Sequence, residues 1–309
     1  MEGVGRFAPS PSGPLHLGNL RTALVAWCAA RRSGRRFLVR VEDLTTGTGS
    51  PATSEVEQTQ LDDLRAIGID HDGPVLRQSA RTAAYDAAVA RLTAAGLTYA
   101  CVCTRAEVRR EVESSVAAPH GGVTDAYPGT CRERSPDEVA ERIAGGRTPS
   151  LRLRADRAVV TAVDRRLGPL EVEVDDFVLR RADGVAAYNL AVVVDDAEQG
   201  VDQVVRGDDL WPTTPRQVLL QQLLDLPTPE YLHVPLVVGP DGERLAKRHG
   251  AVTLADLRAL GRSAVEVRTL LAVSLGLARP GEDVSMEVLA ARFDPAAVPP
   301  SPWSAPVGG

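Results

Sequence analysis

Arg6-Phe-Ala-Pro-Ser-Pro-Ser-Gly-Pro-Leu-His-Leu-Gly18 is the stretch from which the rest of the chain can be read. A short apolar start runs into a loop of proline, serine and glycine that ends at His16, Gly18 and Asn19. An amphipathic helix follows, with Leu20, Leu24, Trp27 and Cys28 on one stripe. Strand, small-residue loop and helix N-terminus together make an anion site, because free backbone N–H groups and the positive end of the helix dipole point the same way. The loop is not a Walker A loop, since no Gly-Lys-Ser/Thr closes it, and it is not a Gly-x-Gly-x-x-Gly dinucleotide loop. A histidine beside the helix start can donate to a phosphate oxygen as charge builds there. Gly18 lets a nucleotide ring lie close to the backbone.

Outward from this segment, Phe37–Val41 reads as a strand, and Ser54–Ile67 and Ala80–Ala95 read as helices, the second closed by Gly96. This β-α-β-α order points to an α/β chain with a mostly parallel sheet. From residue 97 the pattern breaks. Cys101 and Cys103, a charged helix over Arg105–Glu113 and the loose run Ser114–Gly129 read as an insertion, with short alternating strands at Ser150–Arg154 and Leu170–Val174. Leu190–Val194 is nearly all apolar, as a buried parallel strand is, and it ends in Asp195 and Asp196. At a strand's carboxyl end, those two carboxylates are open to a metal role or a capping role. The expected division is a nucleotide-binding domain in two halves, 1–96 and 187–238, an insertion over 97–186, and a last part over 239–309. That part holds a Gly/Asp turn, one small helical unit within Leu254–Leu277 and a proline-rich tail.

A chain of 309 residues, 44% apolar and 25% charged, can bury a sizeable core. No run of about 18 apolar residues occurs, so no membrane helix is expected. Met1–Gly5 lacks a signal-peptide pattern, which makes the cytoplasm the expected location. A net charge of −6 argues against a broad electrostatic coating of nucleic acid but leaves room for a local basic surface. Arg31, Arg35, Arg152 and Arg154 are the candidate phosphate contacts. Cys28 falls on the apolar stripe and reads as core. By spacing alone, Cys101, Cys103 and Cys131 are open between a metal cluster and three reduced thiols. A disulfide is not expected in a cytoplasmic chain.

The opening segment resembles the His-Ile-Gly-His signature of class I aminoacyl-tRNA synthetases in its glutamate/glutamine form. Leu38–Asp43, Tyr188–Asp196, Val205–Leu210 and Arg244-Leu-Ala-Lys-Arg248 resemble further glutamyl-tRNA synthetase segments, in the family's order. The last is a variant of the Lys-Met-Ser-Lys-Ser loop. About 60 residues follow it, too few for the family's anticodon-binding body, so the chain is most similar to the truncated branch, the glutamyl-Q tRNA(Asp) synthetases.

The resemblance implies a Rossmann-like parallel sheet with a zinc-containing insertion and a small C-terminal helical unit. It implies activation of L-glutamate with ATP and Mg²⁺, and transfer to queuosine in the anticodon of tRNA(Asp), by a protein expected to be monomeric. It assigns His16 and Lys247 to catalysis, and His16, Gly18, Asn19, Arg244 and Lys247 to ATP. Arg6, Ser10, Glu42, Tyr188 and Arg206 fall to glutamate, with Arg6 and Arg206 facing its side-chain carboxylate and Glu42 its ammonium group. Forked guanidinium donors suit the two oxygens of a carboxylate. One structural zinc is implied on Cys101, Cys103, Tyr127 and Cys131, with His120 as a substitute ligand nearby. The signature loop departs from the family at Arg244, Ala246 and Arg248, and Ala246 removes a hydroxyl that could bond phosphate. The alternatives are a stand-alone fragment that charges a tRNA 3′ end, a non-catalytic RNA-binding relative, and a small-molecule nucleotidyltransferase. The intact set His16, Glu42, Tyr188, Arg206 and Lys247 argues against the non-catalytic relative, and the glutamate set and the zinc insertion argue against the nucleotidyltransferase.

Overall fold

A computed structural model describes residues 3–44, 54–104, 106–108, 127–245 and 252–306. Strand β1 (Val4–Phe7) leads through the proline/serine/glycine loop into α1 (Leu17–Arg32). There follow β2 (Arg36–Val41), α2 (Ser54–Ala66), β3 (Leu76–Arg77) and α3 (Thr82–Ala94), in the order read from the sequence. Then come β4 (Thr98–Cys101), α4 (Pro136–Ala144), β5 (Ser150–Leu153), β6 (Val159–Asp164), β7 (Gly168–Glu173) and β8 (Val178–Arg180). Helix α5 (Tyr188–Glu198), β9 (Gln203–Gly207), α6 (Thr214–Leu223) and β10 (Glu230–Val234) complete the central layer. Short β11 (Val237–Val238), helices α7 (Leu254–Ala259), α8 (Ala264–Ser274) and α9 (Met286–Arg292), and β12 (Trp303–Ser304) close the chain.

The central sheet runs β3-β2-β1-β9-β10-β6-β7, parallel throughout except for the β6–β7 hairpin at its edge. The chain winds outward in one direction from β1 and in the other from β9. Their carboxyl ends therefore flank a crevice, the place where such sheets take ligands.

Helix α1 covers one face. It is buried nearly all round, from Leu17 to Ala30, because the sheet lies on one side and α8 and α9 on the other. The expected stripe is thus wider than an amphipathic reading allows, and Cys28 sits in it fully buried.

The other face carries the main departure from the sequence reading. Leu190–Val194 is not a strand but the middle of α5. A short apolar run looks the same in a buried strand and in a helix covered on all sides. Here the helix is covered by the sheet residues Val4, Leu38, Val204 and Tyr231 and by neighbouring helices, so no polar face is needed. Asp195 and Asp196 consequently end no strand, and lie buried near the end of a helix.

Within 97–186, β4, β5 and β8 form a separate antiparallel sheet, whereas β6–β7 extends the central one through Tyr231 and Asp164. The alternating burial of β6 would serve in either sheet, and the pairing that decides is long-range. The charged helix expected over 105–113 and His120 fall largely or wholly outside the described residues. The helical unit after residue 252 is three short helices, of which α8 and α9 pack on α1 and α7 packs on α8.

Candidate active site

A cavity of about 520 Å³ opens at the carboxyl ends of β1 and β9. Arg6, Ser10, His16, Gly18, Asn19, Glu42, Tyr188, Arg206 and Arg244 all line it. Lys247, together with Ala246 and Arg248, lies outside the described residues.

The helix start is built differently from the expectation of free N–H groups. His16 Nδ1 accepts from Gly18 N at 3.1 Å and from Asn19 N at 3.3 Å, and Asn19 Oδ1 accepts from His16 N at 3.2 Å. Leu17 N donates to Val252 O at 2.8 Å. The first-turn donors are therefore occupied, and the capping ring takes their place facing the cavity. With Nδ1 accepting, the neutral ring carries its proton on Nε2, which is left as the donor. Burial first, and the Arg244 charge second, push the His16 pKa down to about 4, so that neutral form persists. A Cβ at Gly18 would stand 3.0 Å from the ring, which is why glycine follows the cap. Gln60, which the sequence did not single out, props the loop from α2 by donating to Ser10 O and Gly13 O at 3.1 and 2.6 Å.

Strand register sets the charges. Arg6 pairs with Leu38 and Val204, and Arg206 with His233. Hence Arg40, Arg6, Arg206 and His233 share one face of four adjacent strands, each two residues beyond an apolar residue of the core. Helix α5 brings Asp196 against this row. Arg6 holds it in a fork, Nε–Oδ1 3.2 Å and Nη2–Oδ2 3.3 Å, and Arg40 Nη1 reaches Oδ1 at 2.6 Å. Burial opposes ionisation of Asp196, but Arg40 and Arg6 outweigh it and hold its carboxyl below the usual range. Arg40 Nη2 also donates to Glu42 Oε1 at 3.1 Å. Burial pushes the Glu42 carboxyl up against the pull of Arg40 and Arg6. Asp195 is taken by Gln78, Tyr85 and Arg81 at 2.8, 2.8 and 3.1 Å. Both α5 carboxylates are thus committed to protein partners, which removes them as metal ligands.

Arg206 is the exception. It is 5% exposed, and its partners are neutral: His233 Nε2 at 2.9 Å, Gln217 Oε1 at 2.8 Å and Thr214 Oγ1 at 2.8 Å, with the Tyr188 hydroxyl at 3.5 Å. Arg244, at the cavity rim, pairs with Asp209 at 2.8 Å.

In the insertion, the Sγ atoms of Cys101, Cys103 and Cys131 lie within 4.8 Å of one another. The Tyr127 hydroxyl stands 3.5 Å from Cys101 Sγ and 3.6 Å from Cys103 Sγ, and accepts from Cys131 N at 2.8 Å. Three convergent sulfurs and one oxygen fit a closed tetrahedral centre. Hydrogen bonds from Cys103 and Tyr127 and the Arg152 charge pull the Cys101 thiol down against its burial. The Arg152 guanidinium stacks on the Tyr127 ring, 3.6 Å from its centroid. A second cavity of about 320 Å³, lined by Tyr127, Arg152, Asp175, Asn189 and Arg216, reaches the first at Tyr188.

The basic residues divide. Arg152 lines the second cavity, and Arg154 stacks on Tyr99. Arg31 pairs with Asp70 and Asp72, and Arg35 with Asp202, at the far end of α1. A 16-residue helix separates them from the cavity by about 20 Å, at 1.5 Å per residue.

The catalytic-domain family tRNA synthetases class I (E and Q) matches residues 4–282. A glutamyl-Q tRNA(Asp) synthetase of Nocardia farcinica is 59% identical, covering 97% of this chain and 92% of its own. One from Symbiobacterium thermophilum is 47% identical, covering 98% and 95%. In three dimensions the chain resembles a glutamate tRNA ligase of Elizabethkingia meningosepticum, solved in complex with its amino acid, with TM-score 0.80 and 26% identity. It is matched over 96% of its length and spans 66% of that ligase chain. A glutamyl-tRNA synthetase-like cavity at the switch point, and relatives of this likeness along nearly the whole chain, lead to one assignment: the protein belongs to the class I tRNA synthetases for E and Q, among the glutamyl-Q tRNA(Asp) synthetases.

Proposed function

We propose that the chain activates glutamate with ATP to glutamyl-adenylate and transfers the glutamyl group to the queuosine base of tRNA(Asp). The observation that carries this reading is Arg206, a buried cation in the cavity wall whose partners among the described residues are all neutral. A substrate carboxylate would complete it. Glu42 takes the ammonium group with the oxygen that Arg40 leaves open. The amino acid's own carboxylate then attacks the α-phosphate of ATP in line, and pyrophosphate leaves. His16 donates from Nε2 to the phosphate as charge builds, beside Arg244 and, in the signature loop, Lys247. Mg²⁺ enters with the nucleotide, held by phosphates and water. Cys101, Cys103, Tyr127 and Cys131 would hold one zinc, which clamps the insertion. Tyr127 also walls the second cavity, which favours an acceptor approach from that side.

Radiolabelled glutamate and ATP, offered with queuosine-containing tRNA(Asp), unmodified tRNA(Asp) and tRNA(Glu), test the reading. Label is expected on the first alone and is expected to survive removal of the tRNA 3′ end. Label on the 3′-terminal adenosine would overturn it.

A further inference from the structure

Arg206, His233 and Asp164 lie side by side on three neighbouring strands, since β9 and β10 pair Arg206 with His233, and β10 meets the end of β6 at Tyr231 and Asp164. Arg206 Nε donates to His233 Nε2 at 2.9 Å, and His233 Nδ1 lies 2.8 Å from Asp164 Oδ2. A guanidinium can only donate, so Nε2 accepts, and the ring's single proton sits on Nδ1 and goes to the carboxylate. Asp164 cannot swing towards Arg206. Its Oδ2 also accepts from His233 N at 2.7 Å, and its Oδ1 from Arg166 N and Leu167 N at 2.9 and 2.8 Å.

We infer that Asp164 and His233 are positioning residues for glutamate recognition: they hold Arg206 by its Nε edge while keeping the Asp164 carboxylate one ring away, so that the guanidinium charge is left for the substrate. The inference rests on the reading of Arg206 as the glutamate-binding cation. Arg6 supplies the control within the same molecule. Its Nε and Nη2 are both taken by Asp196, which it shares with Arg40. At Arg206 a carboxylate in the place of His233 would do the same. A neutral imidazole orients the fork without cancelling it, and the buried carboxylate behind fixes which ring nitrogen accepts. Burial and the neighbouring Arg206 both disfavour a second proton on the ring, so it keeps this state. A cation held in this way separates glutamate, which brings a charge, from glutamine, which does not.

Glutamate-dependent ATP–pyrophosphate exchange by the full chain tests it. His233→Leu removes the acceptor and keeps most of the volume. The KM for glutamate should rise on the order of tenfold or more, the usual weight of a hydrogen bond to a charged group. The KM for ATP should stay put, and the preference for glutamate over glutamine should narrow. His233→Gln, whose side-chain oxygen can accept from Arg206 Nε, should bring the glutamate KM back towards wild type. Asp164→Asn should raise it in the same direction by less, and decides the matter alone if His233→Leu is insoluble. An unmoved glutamate KM, or equal rises for glutamate and ATP, overturns the inference. A wild-type chain without glutamate-dependent exchange sinks the reading of the cavity and this inference with it. Wild-type exchange with unmoved variants sinks this inference alone.

Discussion

On the β1–β2 side of the switch point, Arg6 and Arg40 share Asp196, and Arg40 also holds Glu42. On the β9–β10 side, Arg206 is as deeply buried but is met by an imidazole, an amide and a hydroxyl. Neighbouring strands thus deliver cations to one cavity in two electrostatic conditions. The first set is paired with protein carboxylates. The second is oriented by neutral groups. The sheet alone does not make this difference, because all these basic residues lie on one face. Helix α5 makes it, since its Asp196 reaches β1 and β2 and not β9.

The contrast is broken or sharpened most directly at its two extremes. Asp196→Asn leaves Arg6 and Arg40 short of their shared anion, and should lower unfolding stability in urea by about 3–5 kcal/mol, as when one partner of a buried pair is removed. A loss of about 1 kcal/mol or less, the scale of a surface pair, would show that the first set is not held by its charges. Arg206→Ala should do the reverse. Glutamate binding should weaken by about 2–5 kcal/mol, read as the KM in pyrophosphate exchange, because an ion pair is lost in a desolvated site. Its unfolding midpoint should stay the same or rise, since no protein anion is orphaned. Glutamine exchanging as well as glutamate in the wild type would remove the carboxylate from Arg206 altogether.

The cavity-lining residues of both sides are legible in the sequence, and the partners that hold them are not. The motif blocks brought Arg6, His16, Glu42, Tyr188, Arg206 and Arg244 to one cavity although they span most of the chain. What failed was local ambiguity and long range. The run Leu190–Val194 carries no periodicity that separates a strand from an enclosed helix, so Asp195 and Asp196 were placed at a strand end. His16 looked like a phosphate donor beside free N–H groups, whereas one ring nitrogen is spent on capping those groups. His233 and Asp164 stand 69 residues apart, and neither has a sequence signal of its own. A buried histidine on a strand is ordinary until its neighbour across the sheet is known to be an arginine. Arg31 and Arg35, dense in the sequence, pair with acidic residues at the end of α1 far from the cavity.

The contrast extends to the insertion, which touches the cavity from the Tyr188 side. One zinc per chain is expected in protein purified without chelator. Cys131→Ala should lose it, and transfer to tRNA should fall several-fold more than pyrophosphate exchange, because Tyr127 walls the second cavity and none of the four ligands lines the first. Full zinc content in Cys131→Ala would sink the ligand set. Equal losses in both half-reactions would place the insertion's influence on the first cavity instead.

The smallest effect concerns His16, where the first side avoids charge altogether. Its pKa in the folded chain is about 4, against an ordinary value of 6.5. Between those values the unfolded chain binds a proton there and the folded chain does not, so stability rises with pH across this window and is lost as pH falls through it. Below about pH 4 both states are protonated and the contribution stops changing. The full span is at most about 3 kcal/mol, and less for a ring that is partly exposed. His233 is shifted the same way and blurs the measurement in the wild type alone. His16→Asn resolves it. Asparagine caps a helix as well as any residue, with an oxygen that can accept from the same first-turn N–H groups, and it does not titrate. The stability difference between wild type and His16→Asn should therefore be flat above about pH 7 and should shift towards the variant from pH 6.5 to 4. A difference independent of pH would mean that the ring has the same pKa folded and unfolded. A difference that moves towards the wild type as pH falls would mean that the folded ring takes up a proton, and Nδ1 could not then accept from Gly18 and Asn19.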